Sequence, residues 1–281
     1  MRKVSFINMK GGVGKTTLST NVAHCLATRE NCKVLVVDID PQFNATQCFF
    51  SGDKYIEYLK NKGRTILDLF QENVANISTV DGVTGIESFN YSDIKPIQIL
   101  ENLFMLPGNL NLYQIEISAG SGKENRLKKY LDEINKIYHF DYVIIDTPPT
   151  PSIWMISALL ASDYYIIPVK PDPLSYTGIE LLQNIIYQKK RDLDLNIKCM
   201  GIVLTIVEEG TIVFNKCMET IGKKKQLKDL LYKKYLKKRT DIAKFQLNQQ
   251  FILDQSKDDI KLCLTGIVQE MIKRINDDET K

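Results

Sequence analysis

The chain has 281 residues, of which 44% are hydrophobic and 25% are charged, and its formal net charge is +3. This length allows one large α/β domain with a substantial apolar core or at most two small domains, and we expect a single domain over residues 1–281. We expect a cytoplasmic protein, because no run of eighteen apolar residues occurs and the chain opens on a strand rather than a cleavable signal. Six cysteines without Cys-x-x-Cys spacing and only two histidines argue against zinc, iron–sulfur and imidazole chemistry.

The N-terminal stretch combines a strand, a glycine-rich loop and a helix. An apolar strand at 4–7 leads into Met-Lys-Gly-Gly-Val-Gly-Lys-Thr-Thr at 9–17, and apolar residues then recur with helical spacing over 18–26. Such a loop directs backbone N–H groups and a helix N-terminus at one point, which suits a polyphosphate. Lys15 is placed to neutralise the β- and γ-phosphates, and the hydroxyl of Thr16 to bind Mg²⁺.

Two further predicted strands end in aspartates. Residues 33–38 form a β-branched run followed by Asp38 and Asp40, and residues 141–146 form another that ends in Asp146. Ligands of open α/β sheets bind beyond the carboxyl ends of the strands, so these carboxylates are predicted to lie near the phosphate loop. Solvated carboxylates in a strand-end turn are the alternative for the first pair.

Strand and helix patterns alternate along most of the remaining chain. Strands are predicted at 84–89, 103–108, 164–169 and 199–207, and helices at 65–70, 127–138, 178–186 and 262–275. Because parallel neighbours need crossover connections, this alternation predicts a doubly wound, mostly parallel sheet flanked by helices. Residues 49–101 are interpreted as an elaboration of the same domain, and Trp154 as a core residue rather than a partner contact.

Positive charge is concentrated in one segment. Residues 216–244 carry eleven Lys/Arg and three acidic residues, a local net charge of +8, whereas the rest of the chain sums to −5. Apolar residues at 227, 230, 231 and 235 predict one amphipathic helix with lysines on its other faces. Such a face is either a solvated surface or a contact for nucleic acid.

These motifs resemble those of the ParA/MinD class of P-loop ATPases. The loop at 10–17 matches the deviant Walker A pattern K-G-G-x-G-K-T-T, residues 38–42 match D-x-D-P-Q, and residues 141–149 match the Walker B strand with its two following prolines. Phe43 departs from the glycine that the family usually has at this position. The loop at 208–211 also departs from the family pattern, because it lacks an arginine that often contacts DNA.

The resemblance implies ATP and Mg²⁺ as ligands of this site. It implies that Asp40 activates or positions the attacking water, and that Lys10 reaches the nucleotide of a second subunit in an ATP-dependent sandwich homodimer. The implied catalytic residues are Lys10, Lys15 and Asp40; the implied nucleotide-binding residues are Gly11, Gly12, Val13, Gly14, Lys15, Thr16 and Thr17; and the implied metal-binding residues are Thr16, Asp38 and Asp146.

The resemblance also implies a partition protein of the ParA/Soj type that binds nonspecific DNA, associates with the nucleoid and is stimulated by a centromere-binding, ParB-like partner with a basic N-terminal tail. The candidate DNA-binding residues are Lys223, Lys224, Lys225, Lys228, Lys233, Lys237, Lys238 and Arg239. A MinD-like membrane ATPase is one alternative, but the acidic tail at 277–279 disfavours stable membrane association. An ATP-dependent metabolic enzyme and an adaptor for other cargo, such as a conjugation apparatus, are further alternatives.

Overall fold

The computed structural model of the protein describes residues 1–71, 90–118, 123–172 and 175–281. The strand predicted at 84–89 lies outside these residues. Seven strands form one sheet, in the spatial order β3-β4-β2-β5-β1-β6-β7. Their bounds are β1 Arg2–Phe6, β2 Val34–Asp38, β3 Ile97–Leu100, β4 Leu103–Leu106, β5 Tyr142–Asp146, β6 Tyr164–Val169 and β7 Lys198–Leu204.

The helices of the described residues cover both faces of this sheet. Their bounds are α1 Lys15–Thr28, α2 Asn44–Phe49, α3 Gly52–Lys60, α4 Ile66–Phe70, α5 Leu112–Ser118, α6 Arg126–Tyr138, α7 Ile153–Ala161, α8 Ser175–Asp192, α9 Ile212–Lys223, α10 Lys225–Leu230, α11 Thr240–Leu247 and α12 Asp258–Glu279. None of them is both long enough and apolar enough to cross a bilayer.

The predicted doubly wound sheet is confirmed. All neighbouring strands pair in parallel, apart from the antiparallel pair of β3 and β4 at one edge. Every residue of β2 and β5 is buried, because helices pack on both faces of the sheet. In β2, Val34 and Val36 belong to the core under α1 and α12, whereas Leu35 and Val37 belong to the core under α4, α6 and α7.

Strand register sets the position of the candidate site. Asp38, the last residue of β2, pairs with Asp146, the last residue of β5, and Phe6 of β1 pairs with the same Asp146. Three strands therefore end side by side, and the loop that follows β1 leaves the sheet beside both aspartates. This is the edge of a parallel sheet at which ligands bind.

Most elements predicted from the sequence are present, with boundaries that differ by a few residues. The short helix at 65–70 is α4, and the C-terminal helix extends from Asp258 to Glu279 and packs on the sheet. Trp154 is fully buried, with its ring 4.9 Å from that of Phe70 in an edge-to-face contact, so its interpretation as a core residue is confirmed. Edge strand β3 was not predicted, because it is only four residues long and its residues are either half-buried or exposed.

The prediction of one basic helix between 216 and 244 is wrong. Helices α9 and α10 end at Lys223 and Leu230, residues 231–238 are extended beside β7, and α11 begins at Thr240. Backbone hydrogen bonds run from Tyr232 N to Ile202 O (2.9 Å), from Leu236 N to Leu204 O (3.0 Å) and from Lys238 N to Val207 O (2.9 Å).

The open edge of β7 explains this conformation. A sheet edge presents unpaired N–H and C=O groups, and residues 231–238 pair with those of β7 while burying Tyr232 and Leu236. Arg274 of α12 fixes the start of the segment, since its guanidinium donates to Leu230 O (3.1 Å) and lies 4.4 Å from the ring centroid of Tyr232. These long-range contacts outweigh the local helical spacing of the apolar residues.

Candidate nucleotide-binding site

The phosphate loop connects β1 to α1, and two of its glycines, Gly11 and Gly12, face open space. Gly12 has φ 70° and Gly14 has φ 75°, a left-handed conformation that disfavours residues with a Cβ. A Cβ built at Gly11 or Gly12 would meet no atom within 4 Å. The hydroxyl of Thr205, at the end of β7, donates to Val13 O (2.5 Å) and holds the loop from the side. The loop is thus an open backbone cradle directly before the N-terminus of α1.

Lys15 lies across the cradle. Its ammonium donates to Asn8 O (3.0 Å) and Lys10 O (3.3 Å), both main-chain carbonyls of the same loop. Burial lowers the pKa of Lys15, and the nearby carboxylates of Asp146 and Asp40 oppose that change. A buried ammonium whose partners are only neutral carbonyls has unused capacity to bind an anion.

Asp146 accepts hydrogen bonds from two hydroxyls of α1. Thr16 Oγ1 donates to one carboxylate oxygen (2.7 Å) and Ser19 Oγ to the other (2.9 Å). Burial raises the pKa of Asp146 to about 6, and the two hydroxyls partly counter this rise. The predicted proximity of Thr16 and Asp146 is therefore present. Ser19 was not predicted, although it follows Thr16 by three residues and so lies on the same face of α1.

Asp38 is fully buried and faces α2. Its Oδ2 accepts from Thr46 N (2.7 Å) and from Thr46 Oγ1 (2.8 Å), and Thr46 Oγ1 in turn accepts from Gly108 N (2.7 Å). Burial and the charge of Asp146 raise the pKa of Asp38 well above its usual range. Asp38 is therefore next to Asp146 but is engaged by Thr46, whose role the sequence pattern did not reveal.

Asp40 is only 4% exposed and lines the same cavity as the cradle. Its Oδ1 accepts from Gln42 N (2.9 Å), and its carbonyl accepts from Phe43 N (2.8 Å). Burial raises the pKa of Asp40, while the charge of Lys15 lowers it. Because Asp40 is buried and hydrogen-bonded within a tight turn, the alternative of a solvated carboxylate at a strand end is wrong for this residue.

Phe43 closes that turn in an unusual conformation. It has φ 43° and ψ 37°, a left-handed geometry that costs an L-residue with a Cβ about 1–2 kcal/mol. Its ring stacks on that of Tyr55, with centroids 5.5 Å apart and planes 22° apart. The glycine usual in the family would adopt this backbone freely, so here a side-chain contact accompanies a strained backbone.

The cavity is large enough for a nucleotide, at about 800 Å³. Backbone from the cradle forms one wall, and Asp40 and α2 form another. Residues of α3 and around the end of α11 also contribute to the lining, the latter being Gln246, Leu247 and Gln249. Thr17 Oγ1 lies 3.3 Å from Gln246 Oε1, which connects α11 to the start of α1. The cavity thus combines an open amide cradle, a hydroxyl beside a carboxylate, and an ammonium that makes no direct contact with an anion among the described residues. These groups fit a nucleoside triphosphate with Mg²⁺.

Lys10 is half-exposed and forms an ion pair with Asp172, in the segment after β6. The side chain thus points along the protein surface rather than into its own cradle. This ion pair was not predicted, because nothing in the sequence connects residues 162 positions apart.

The candidate DNA-binding residues follow the β7 edge of the sheet. Five of the eight form ion pairs: Lys223 with Glu219, Lys224 with Glu180, Lys237 with Glu209, Lys238 with Glu208, and Arg239 with Asp259 and Asp241. Within the ranges that the structure describes, no ion pair of Lys225, Lys228 or Lys233 is found. Residues 208 and 209, in the loop without an arginine, thus supply acidic partners for two of the lysines.

Comparison with known proteins places this site in a family. A family model described as an AAA domain matches residues 1–199. The sporulation initiation inhibitor protein Soj of Bacillus subtilis is 31% identical over 82% of this chain and 81% of its own.

Solved structures with this fold have lower sequence identity. A plasmid partition protein of Borrelia burgdorferi superposes with a TM-score of 0.71 at 24% identity, covering 97% of this chain and 98% of its own. Cobyrinic acid a,c-diamide synthase of Mycobacterium smegmatis, bound to an ATP analogue and magnesium, has a TM-score of 0.64 at 23% identity and covers 81% of each chain. The family match, the similarity to Soj and the geometry of the cradle lead to one conclusion: the chain belongs to the ParA/Soj-type ATPases of the ParA/MinD class of P-loop NTPases.

Proposed function

We propose that this protein is a partition ATPase whose nucleotide state controls its binding to DNA. ATP binding drives a sandwich dimer, the dimer binds DNA without sequence preference, and hydrolysis releases it. The observation that carries the proposal is the convergence of three strand ends on one cavity: Lys15, Thr16 and Asp40 line it, and Asp146 accepts a hydrogen bond from Thr16 directly beside it. Relatives named for sporulation control and plasmid partition support segregation of a plasmid or chromosome as the cellular role.

Each polar group of the cavity has one proposed task. The amides of residues 11–17 and the Lys15 ammonium bind the phosphates. Thr16 and Asp146 would hold Mg²⁺, whose charge would neutralise the β- and γ-phosphates, and Asp38 supports this site through its contacts with Thr46. Asp40 orients a water for attack on the γ-phosphorus, and the bond to the bridging oxygen breaks with its electron pair leaving on ADP.

The proposed dimer needs Lys10 to change partners. Lys10 pairs with Asp172 in the structure, and in the proposed dimer it contacts the nucleotide of the second subunit instead. An ion pair at this exposure contributes about 0–1 kcal/mol, so its loss costs little compared with a new contact to a triphosphate. Nucleotide state is thereby coupled to assembly.

The proposed DNA surface is the row of cations along β7. The ion pairs within it are solvent-exposed and therefore weak, so DNA phosphates can replace their carboxylates. Lysines neutralise phosphates without selecting a base sequence, which gives binding that depends strongly on salt. A dimer carries two such rows, so avidity ties DNA binding to the ATP state.

Slow hydrolysis and a stimulating partner complete the proposed cycle. The phosphate loop and the loop at 208–211 contain no arginine that could act across a dimer. Turnover therefore stays slow until a partner improves the geometry at Asp40. The implied partner is a centromere-binding, ParB-like protein with a basic N-terminal tail.

Binding of a random-sequence DNA duplex tests this function. We expect binding by the wild type with ATP and Mg²⁺, none with ADP or without nucleotide, and none by Lys10→Ala in any state. Replacing Lys225, Lys228 and Lys233 by glutamine removes three contacts and reduces the slope of log affinity against log salt by about 2.7. The matched control carries the same change at Lys128, Lys129 and Lys136, exposed lysines of α6, and retains the wild-type slope.

Other results would favour the other functions. Absence of DNA binding in every state contradicts the proposal, and ATP-dependent sedimentation with anionic liposomes would then favour a MinD-like protein. A hydrolysis rate that depends on a small organic acid would favour a ligase of the kind represented by the diamide synthase.

A further inference from the structure

We propose that the stack of Phe43 on Tyr55 positions Asp40, so that α3 forms part of the hydrolytic site. The inference rests on the proposed function, since it assumes that Asp40 orients the attacking water. It assigns a task to a helix that contributes no catalytic side chain of its own.

The turn that carries Asp40 ends at Phe43. The carbonyl of Asp40 accepts from Phe43 N (2.8 Å), and its carboxylate accepts from Gln42 N (2.9 Å), so the orientation of the carboxylate follows the backbone of this turn. The backbone of Phe43 has a left-handed conformation, and α2 begins at the next residue. A side chain at this position must be restrained from outside the turn, because the backbone by itself favours other conformations.

Tyr55 supplies that restraint. Its ring stacks on Phe43, and its hydroxyl donates to Gly108 O (2.7 Å), beyond the end of β4. No residue of α3 is buried, and the helix is held to the body largely by aromatic contacts, including those of Tyr55 and Tyr58 with Phe50. Tyr55 is thus the residue of α3 that connects the turn of Asp40 to the sheet.

Gly108 contacts both α2, through Thr46, and α3, through Tyr55. Its N–H donates to Thr46 Oγ1, which donates to Asp38, while its carbonyl accepts from Tyr55. A Cβ at Gly108 would lie 2.8 Å from the Cβ of Phe43 and 2.9 Å from Asp38. Phe43 is therefore confined between the backbone of Gly108 and the ring of Tyr55. Displacing the ring opens one side and lets the turn relax.

The stack also lines the nucleotide cavity. Asp40, Phe43 and Tyr55 line it together with the phosphate cradle, with the two rings on the side of the Asp40 turn. A glycine at position 43, as the family pattern has it, would adopt the left-handed turn without a supporting ring. In this chain the geometry of Asp40 depends on α3 instead.

The first test uses the nucleotide-free protein. Amide hydrogen exchange over residues 40–47 is compared between wild type, Tyr55→Leu and the matched control Tyr58→Leu, whose ring lies on the same helix but contacts Phe50 rather than Phe43. We expect exchange at least tenfold faster in Tyr55→Leu and unchanged in Tyr58→Leu. Tyr55→Phe retains the ring and is expected to restore most of the protection. Unchanged exchange in Tyr55→Leu would overturn the restraint.

The second test separates positioning from binding. In single-turnover hydrolysis, Tyr55→Leu is expected to reduce the rate about tenfold, while its Kd for a non-hydrolysable ATP analogue stays within twofold of wild type. Phe43→Leu removes the other ring of the stack and is expected to reduce the hydrolysis rate as much as Tyr55→Leu does. Phe43→Tyr retains a ring and is expected to hydrolyse ATP at the wild-type rate. Faster exchange together with a wild-type rate would overturn the positioning role. Asp40→Ala distinguishes the two proposals, because a wild-type rate in that variant rejects the role of Asp40 itself.

Discussion

Replacement of Asp146 by asparagine is expected to stabilise the nucleotide-free protein at neutral pH while removing its Mg²⁺-dependent binding of nucleotide. The carboxylate is fully buried and receives hydrogen bonds from Thr16 and Ser19. An asparagine of the same shape can keep both contacts, since its oxygen accepts from one hydroxyl and its NH₂ donates to the other. The substitution thus removes a buried charge with little change in packing.

The pKa of Asp146 sets the magnitude and the sign of the expected difference in stability between the variant and wild type. Burial raises it from 3.8 to about 6 in the folded chain. A carboxyl with a higher pKa in the folded state contributes stability that is fully present below pH 3.8 and is lost as the pH rises through 6. The difference between these two pKa values corresponds to about 3 kcal/mol. The free energy of unfolding of the asparagine variant should therefore exceed that of wild type by up to about 3 kcal/mol at pH 7.5. At pH 5 its advantage should be about half as large.

Urea denaturation between pH 5 and pH 8, with a chelator and without nucleotide, measures this difference. Asp132→Asn is the matched control, because Asp132 is exposed on α6 and its replacement should change stability by less than about 0.5 kcal/mol. Asp38 and Asp40 also have raised pKa values. Because the charge of Asp146 contributes to the raised pKa of Asp38, its removal relieves a repulsion and adds to the advantage of the variant at neutral pH. A variant that is less stable than wild type at pH 7.5, or an advantage that does not grow with pH, would refute the reasoning.

Three further predictions concern the cradle and its supports. Lys15→Ala should abolish ATP binding in calorimetry, because it removes the ammonium that lies across the loop, and normal hydrolysis by this variant would contradict the phosphate-loop assignment. Asp172→Asn releases Lys10 from its ion pair and should lower the protein concentration needed for ATP-dependent dimerisation in sedimentation analysis; a higher one would argue that Asp172 serves the dimer. Thr46→Val removes a buried hydroxyl that donates to Asp38 and should lower the free energy of unfolding by about 1.5–3 kcal/mol in urea at pH 7.5, and a loss below about 0.5 kcal/mol would not fit this contact.

Sequence-based predictions were correct for features that a single short stretch of the chain encodes. The loop at 10–17 was recognisable because glycines, a lysine and two threonines must follow one another for a backbone cradle to form. The strands that end in Asp38 and Asp146 were recognisable because fully buried parallel strands are continuous apolar runs. The convergence of these elements then followed from a general property of parallel sheets, namely that ligands bind at the carboxyl ends of the strands.

The supporting contacts of the site depend on residues far apart in sequence. Gly108 meets Thr46 across 62 positions, Tyr55 meets Gly108 across 53, and Lys10 meets Asp172 across 162. No periodicity joins such pairs, because strand register and helix docking bring them together. In the basic segment, local spacing led to a wrong prediction. The apolar residues are spaced as in a helix, but residues 231–238 form hydrogen bonds with the open edge of β7 instead.

The amino-acid sequence by itself therefore determined the class of fold, the phosphate cradle and the identity of the acidic residues beside it. Only the tertiary structure decided how Asp38 and Asp40 are held, which carboxylate pairs with Lys10, and which conformation the basic segment adopts. The physical reason is that local motifs are encoded by neighbours along the chain. The orientation of a buried carboxylate and the pairing of a sheet edge are set instead by hydrogen bonds that exist only once distant segments have packed.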